Sequence, residues 1–229
     1  MTSQNEMDKG KEISLNSDAI VAGPITANKR EDEFRDKTPG QLYAEIVKMI
    51  KQPNTTFQFT EVRCMRVGFG SYAKASYTSG IPVIFTELGI VLCFPHSSWS
   101  NTMVGICIPF NTISDILVLW KIENPFLFVS VTPQIAEWVR QVLGMNGDPE
   151  NGTGKYFSPD SEYQRQKMIL LELTSESGAA KDSIAKLQAI YEDKLIEISF
   201  AASRTLLVSM IPSELHEAVI NDEVRAVLQ

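Results

Sequence analysis

Nucleophilic and metal-binding chemistry would rest on five side chains, Cys64, Cys93, Cys107, His96 and His216. A cysteine hydrolase needs a thiolate activated by a histidine, which an acid or amide orients in turn. Cys107 is near His96 in sequence, but both fall in or beside apolar runs, and no cysteine follows His216. Buried core thiols are the better reading, and no catalytic residue is assigned. Without a Cys-x-x-Cys or spaced histidines there is no zinc cluster, and the acidic pair Glu192-Asp193 lacks further oxygen ligands. Gly68-Phe69-Gly70-Ser71 lacks the glycine-lysine-hydroxyl ending of a phosphate loop and reads as a strand-to-strand turn. No cofactor is expected.

Recognition chemistry is better represented. Asp115-Ile116-Leu117-Val118-Leu119 and Met168-Ile169-Leu170-Leu171-Glu172 each set an acid beside four apolar residues. That composition suits a segment that adds as a strand to a partner's sheet edge. The first sits in a run of strands and reads as core. The second lies after the β-rich stretch and reads first as an added structural strand or helix, with Met168, Ile169, Leu170, Leu171 and Glu172 as the candidate partner-binding residues should it dock instead. Thr38-Pro39 and Ser158-Pro159 have the form of phosphorylation sites, although proline there also suits a helix start and a turn.

Charge narrows the partners. The chain of 229 residues carries 21 Lys and Arg against 28 Asp and Glu, a net charge of −7. Residues 56–145 are neutral, with five basic and five acidic side chains, whereas residues 146–229 hold eight and fourteen, so 8 − 14 = −6. Nucleic acid is not expected as a partner, because its phosphates are bound chiefly by clustered Lys and Arg. Anionic membranes are disfavoured for the same reason. The apolar runs, such as Met103–Phe110, are far shorter than the roughly 20 residues that span a bilayer. With a polar N-terminus, a soluble intracellular chain is expected.

The elements follow from periodicity. Residues 1–37 are polar and read as a disordered tail. Thr38-Pro39 then opens an amphipathic helix over 39–51. Seven short strands are predicted at Phe57–Val67, Tyr72–Tyr77, Pro82–Thr86, Ile90–Phe94, Val104–Ile108, Ile113–Trp120 and Phe126–Val131, separated by Gly, Pro and Asn punctuators. Short links predict a meander that bends or closes. Thr132-Pro133 starts a second helix, in which Ile135, Trp138, Val139, Val142 and Leu143 form one stripe and Gly144 caps the end. The fold class is α+β: a seven-stranded antiparallel bent barrel of the pleckstrin-homology-like (PH-like) kind, capped by that helix, over 38–145. Residues 146–229 read as a linker, which Tyr156-Phe157 could pin back, and an acidic helical extension. Its helices are placed at 179–193 and from Ser213.

The stretch Ile108–Val118, then Phe126–Val129, Thr132-Pro133 and Leu143-Gly144-Met145, resembles the region upstream of the catalytic domain in long-tailed sentrin/SUMO-specific proteases. Arg66-Val67-Gly68, Ser71-Tyr72, Tyr156–Pro159 and Met168–Leu171 extend the resemblance to about residues 57–173. It implies a non-catalytic PH-like module, a stand-alone paralogue or a truncated product, because no protease domain with its His, Asp and Cys triad follows. It also implies a protein partner in the SUMO pathway, SUMO itself or a sumoylated complex, in the nucleus or cytoplasm. Met168–Glu172 is similar to a SUMO-interacting motif. Two rival activities follow as alternatives: a SUMO isopeptidase using Cys107 or Cys93, and a PH-like lipid binder. The 68–80 loop speaks against the second, since it holds Lys74 as its only cation.

Overall fold

A computed structural model describes residues 34, 36–52, 56–76, 79–95, 103–120, 125–147, 154–174, 179–199, 201–202 and 205–206. The expected disordered tail up to residue 33, the helix from Ser213, and both histidines lie outside the described residues.

All seven expected strands form: β1 (Phe59–Phe69), β2 (Tyr72–Ala75), β3 (Ile81–Thr86), β4 (Gly89–Pro95), β5 (Met103–Pro109), β6 (Ile113–Leu119) and β7 (Phe126–Val131). Two more join them, β8 (Ile169–Leu173) and β9 (Leu195–Glu197). The sheet runs β5-β4-β3-β1-β8-β7-β6-β9, with β2 paired to β1 alone. It is a bent, open sheet rather than a closed barrel, since β5 and β9 end the path unpaired to each other.

The bend originates in β1. Its first half pairs with β3 through Phe59–Cys64, and its second half pairs with β2 and β8 through Arg66–Phe69. The register against β8 shifts between Cys64 and Arg66, and a bulge of this kind adds twist and lets one strand turn a corner between two sheet layers. The connection from β5 to β6 shows how far the sheet curls. These strands lie near opposite ends of the path, yet only the 3-10 turn Phe110–Thr112 separates them. At roughly 3.6 Å per residue, Pro109 and Ile113 are at most about 14 Å apart. The expected meander therefore fails between β2 and β3, which both pair with β1, and between β5 and β6, where the chain crosses the open seam instead of pairing. Phe110 N–H donates to Leu88 O and Thr132 N–H to Thr112 O, which anchors the crossover on both sides.

Among the described residues three helices of two turns or more pack against the sheet. Helix α1 (Pro39–Ile50) starts with a capping box, in which the Thr38 hydroxyl and the Gln41 side chain satisfy each other's main-chain N–H groups. Its buried Leu42 and Ile46 pack with Phe57, Leu88, Val91 and Cys107 on the outer face of β4 and β5. Phe34 packs on the same cluster, and Lys37 pairs with Glu45 at 3.5 Å, so these two residues, which the expected tail included, sit against α1. Helix α2 (Pro133–Leu143) buries Ile135, Ala136, Val139 and Leu143 in the main core, leaving Trp138 half-buried. Gly144 ends it in the left-handed conformation at φ 61°, where a side chain would be strained. Thr132 stands at the N-cap, but its hydroxyl makes no cap bond. Helix α3 (Ala179–Ile190) sends Leu187 into the same core.

Within the stretch beyond Met145, read above as a linker and an extension, β8 and β9 are woven into the sheet. Phe157 is buried edge-on to Phe69 at 6.2 Å, and Ser71 N–H donates to Tyr156 O at 3.0 Å. The expected pin at Tyr156-Phe157 is present. No helix among the described residues is long and apolar enough to cross a membrane.

Candidate interaction surface

The thiols are placed for packing. Cys64 is fully buried in β1, Cys107 is buried under α1, and Cys93 is half-buried in β4. Burial pushes the Cys107 thiol up to about 12. Burial, and then the Glu172 carboxylate, push Cys64 up as well. A nucleophilic cysteine needs the opposite shift. Among the described residues no three His, Cys, Asp or Glu side chains come together as a metal site. The Gly68–Ser71 turn closes the β1–β2 hairpin with Gly70 at φ 55°. Its Gly70 and Ser71 N–H groups donate to Met168 O and Tyr156 O, so they do not face an open anion site.

Neither acid-flanked apolar run has a free edge. Asp115–Leu119 lies in β6 between β7 and β9, and Asp115 accepts a 2.9 Å hydrogen bond from Ser130. Met168–Glu172 takes the structural-strand form that the sequence reading weighed against a docking segment. Met168 is buried in the outer cluster with Phe126 and Phe128, and Ile169–Leu173 form β8, laddered to β1 on one edge and β7 on the other. Ile169, Leu170 and Leu171 are at most 2% exposed, and Glu172 faces Arg66 at 3.6 Å. Strand addition needs an unpaired edge, and this segment has none in the folded chain.

Among the described residues two concave places stand out. A cleft of about 210 Å³ lies between the start of α1 and the crossover, lined by Phe34, Leu88, Phe110 and Ile135 among others. A larger groove of about 500 Å³ runs between the first half of β1 and α3. Phe57 to Glu61 form one wall, and Ser183, Lys186, Ala189 and Ile190 the other. The Ser183 hydroxyl reaches across its end to Glu61 O at 3.3 Å, and the Glu61 carboxylate is paired with Arg63 at 2.8 Å. The sequence offers no sign of this groove, because its distinctive groups are main-chain atoms supplied by residues over a hundred positions from the helix opposite.

A sheet folded about a corner strand, with a helix from Pro133 set into its seam, is the setting in which the family comparison applies. Residues 59–216 match the model of the SENP6/SENP7 PH-like domain, and the chain belongs to that family. The match includes β8, α3 and β9, and it agrees with the resemblance to the PH-like region of such proteases. Among solved structures, one described as a synaptonemal complex protein is similar at 10% identity with a TM-score of 0.34. The likeness covers 75% of this chain and 42% of that one, so this chain spans less than half of its length. No curated protein matches the sequence.

Proposed function

We propose that this chain is a non-catalytic recognition module that binds a protein partner, SUMO or a sumoylated protein, in the nucleus or cytoplasm. The observation that carries this reading is the pairing of family with chemistry: a SENP6/SENP7 PH-like domain whose Cys64 and Cys107 are buried and held protonated. Recognition is the role consistent with a surface that offers a groove and a strand edge while Cys64 and Cys107 serve as packing. Lipid headgroups are poor candidates, since the β1–β2 turn is tied to the 154–157 segment and the loop carries only Lys74. The acidic C-terminal third favours partners with basic surfaces.

The test is a titration of the isotope-labelled full chain with SUMO, read by amide shifts. A contiguous patch of shifted amides is expected, and no shift at about 1 mM, where even a weak complex forms, overturns SUMO as the partner. A parallel incubation with a SUMO conjugate should give no cleavage. Cleavage abolished by a thiol alkylator would replace recognition with isopeptidase activity.

A further inference from the structure

The first half of β1 has one laddered edge and one edge that is open in part, and its register shows which groups lie on each. Ladder bonds in an antiparallel pair involve alternate residues. Pro82, which has no N–H, stands opposite Arg63, so Arg63 belongs to the pairs without ladder bonds. Thr86, opposite Phe59, turns its carbonyl away from β1 to accept from Tyr191, so that pair is of the same kind. Thr60, Val62 and Cys64 therefore ladder with β3, while Phe59, Glu61 and Arg63 direct their main-chain groups to the other side. Two bonds confirm the direction: Thr174 N–H donates to Arg63 O, and the Ser183 hydroxyl donates to Glu61 O. The N–H and C=O of Phe59 and the N–H of Glu61 then face the groove without a main-chain partner among the described residues.

Strand edges left open beside a helix make a receptor for extended peptide: the bare main chain supplies hydrogen bonds, and the two walls receive alternate side chains. At about 500 Å³ this groove has the volume of a ligand site. Its charge selects the occupant. Glu61 is neutralised by Arg63, whereas Lys186 on the opposite wall is exposed and has no carboxylate at ion-pair distance among the described residues.

We propose that the groove between β1 and α3 binds an extended segment of a partner protein, alternating apolar and acidic residues, by strand addition to Phe59–Glu61. The apolar side chains pack against Ile190 on the α3 wall, and an acidic one meets Lys186. This deepens the recognition reading and rests on it. The roles assumed in the sequence reading are thereby reversed: this chain supplies the sheet edge, and the partner supplies the acid-flanked strand.

The test uses the labelled full chain and two capped six-residue peptides, one alternating valine and aspartate, the other valine and lysine. The aspartate peptide should shift the amides of Gln58–Glu61 and Ser183–Ile190. Ala189→Trp, at an exposed position on the α3 wall, should fill the groove and abolish those shifts without changing the thermal midpoint. Lys186→Glu should weaken the aspartate peptide at least about fivefold and favour the lysine peptide instead. No shift at about 1 mM, shifts confined elsewhere, or equal response to both peptides would overturn the proposal. So would self-association through these residues in peptide-free samples, because a second copy would then be the occupant. If SUMO shifts a different patch while the aspartate peptide shifts nothing, the groove assignment fails and the recognition reading stands. If SUMO shifts nothing while the peptide docks as described, the groove stands and SUMO falls.

Discussion

The Tyr191 hydroxyl donates a 3.0 Å hydrogen bond to the main-chain oxygen of Thr86, joining residues 105 apart in sequence. The Tyr191 ring is fully buried, edge-on to Phe85 at 5.8 Å and 5.2 Å from Phe110. Thr86 is itself the hub of the β3–β4 turn, its side-chain oxygen receiving the N–H groups of Leu88 and Gly89. The end of α3 thus fastens the turn and the crossover at once.

Removing the hydroxyl alone, as in Tyr191→Phe, leaves a buried carbonyl short of a donor and should cost about 1–2 kcal/mol. Tyr191→Ala also removes the ring from the core and should cost about 3–5 kcal/mol. Urea unfolding checks both. A loss below about 0.5 kcal/mol for the alanine variant would mean that α3 is an appendage.

Stability should fall at alkaline pH. Burial pushes Tyr191 well above its ordinary value of 10.0 and Cys107 up to about 12, and Cys64 is pushed up too. Tyr43 is also raised to about 12, first by burial and then by its hydrogen bond with Cys93. These acids hold their protons more tightly in the folded state, so their contribution is complete below about pH 9. It is lost as the unfolded chain deprotonates first and pH rises toward 12. Urea midpoints at pH 7, 9 and 10.5 should be level across the first pair and drop at the third. A midpoint that rises with pH over this range contradicts the assigned burial.

Gly105 on β5 is where α1 makes its closest approach. A Cβ there would lie 2.5 Å from the Tyr43 ring. Gly105→Val should therefore push α1 off the sheet and destabilise the chain by about 1–3 kcal/mol. Proteolysis in the α1 region should accelerate in parallel. An unchanged digestion pattern would place α1 elsewhere.

Glu172 separates a structural role from a docking role. Its carboxylate faces Arg66, and both side chains are mostly buried. Glu172→Ala strands the guanidinium and should cost about 3 kcal/mol, whether or not a partner is present. A variant of unchanged stability but weakened SUMO response would restore Met168–Glu172 as a docking segment.

The legible part of the fold was the part with alternation and punctuation. Glycine, proline and asparagine separate the first seven strands, and Thr38-Pro39 and Gly144 mark helix ends by local chemistry. Met168–Leu171 was ambiguous for a physical reason: a central strand buried on both faces has no alternation, so it reads equally as helix, core strand or docking strand. Its partners β1 and β7 are remote in sequence, and no local pattern reports such pairing. β9 is three residues long and gains its place only through parallel pairing with β6. The groove was invisible because a bare main-chain edge depends on register, not on residue type.

Hydrogen exchange on the full chain, alone and with saturating SUMO, tests the account most directly. The amides of Ile169–Leu173 should exchange only through global unfolding in the free chain. Added protection on binding should then appear at the surface around Phe59–Glu61 and α3. Fast exchange of Ile169–Leu173 in the free chain, slowed only by SUMO, would contradict it.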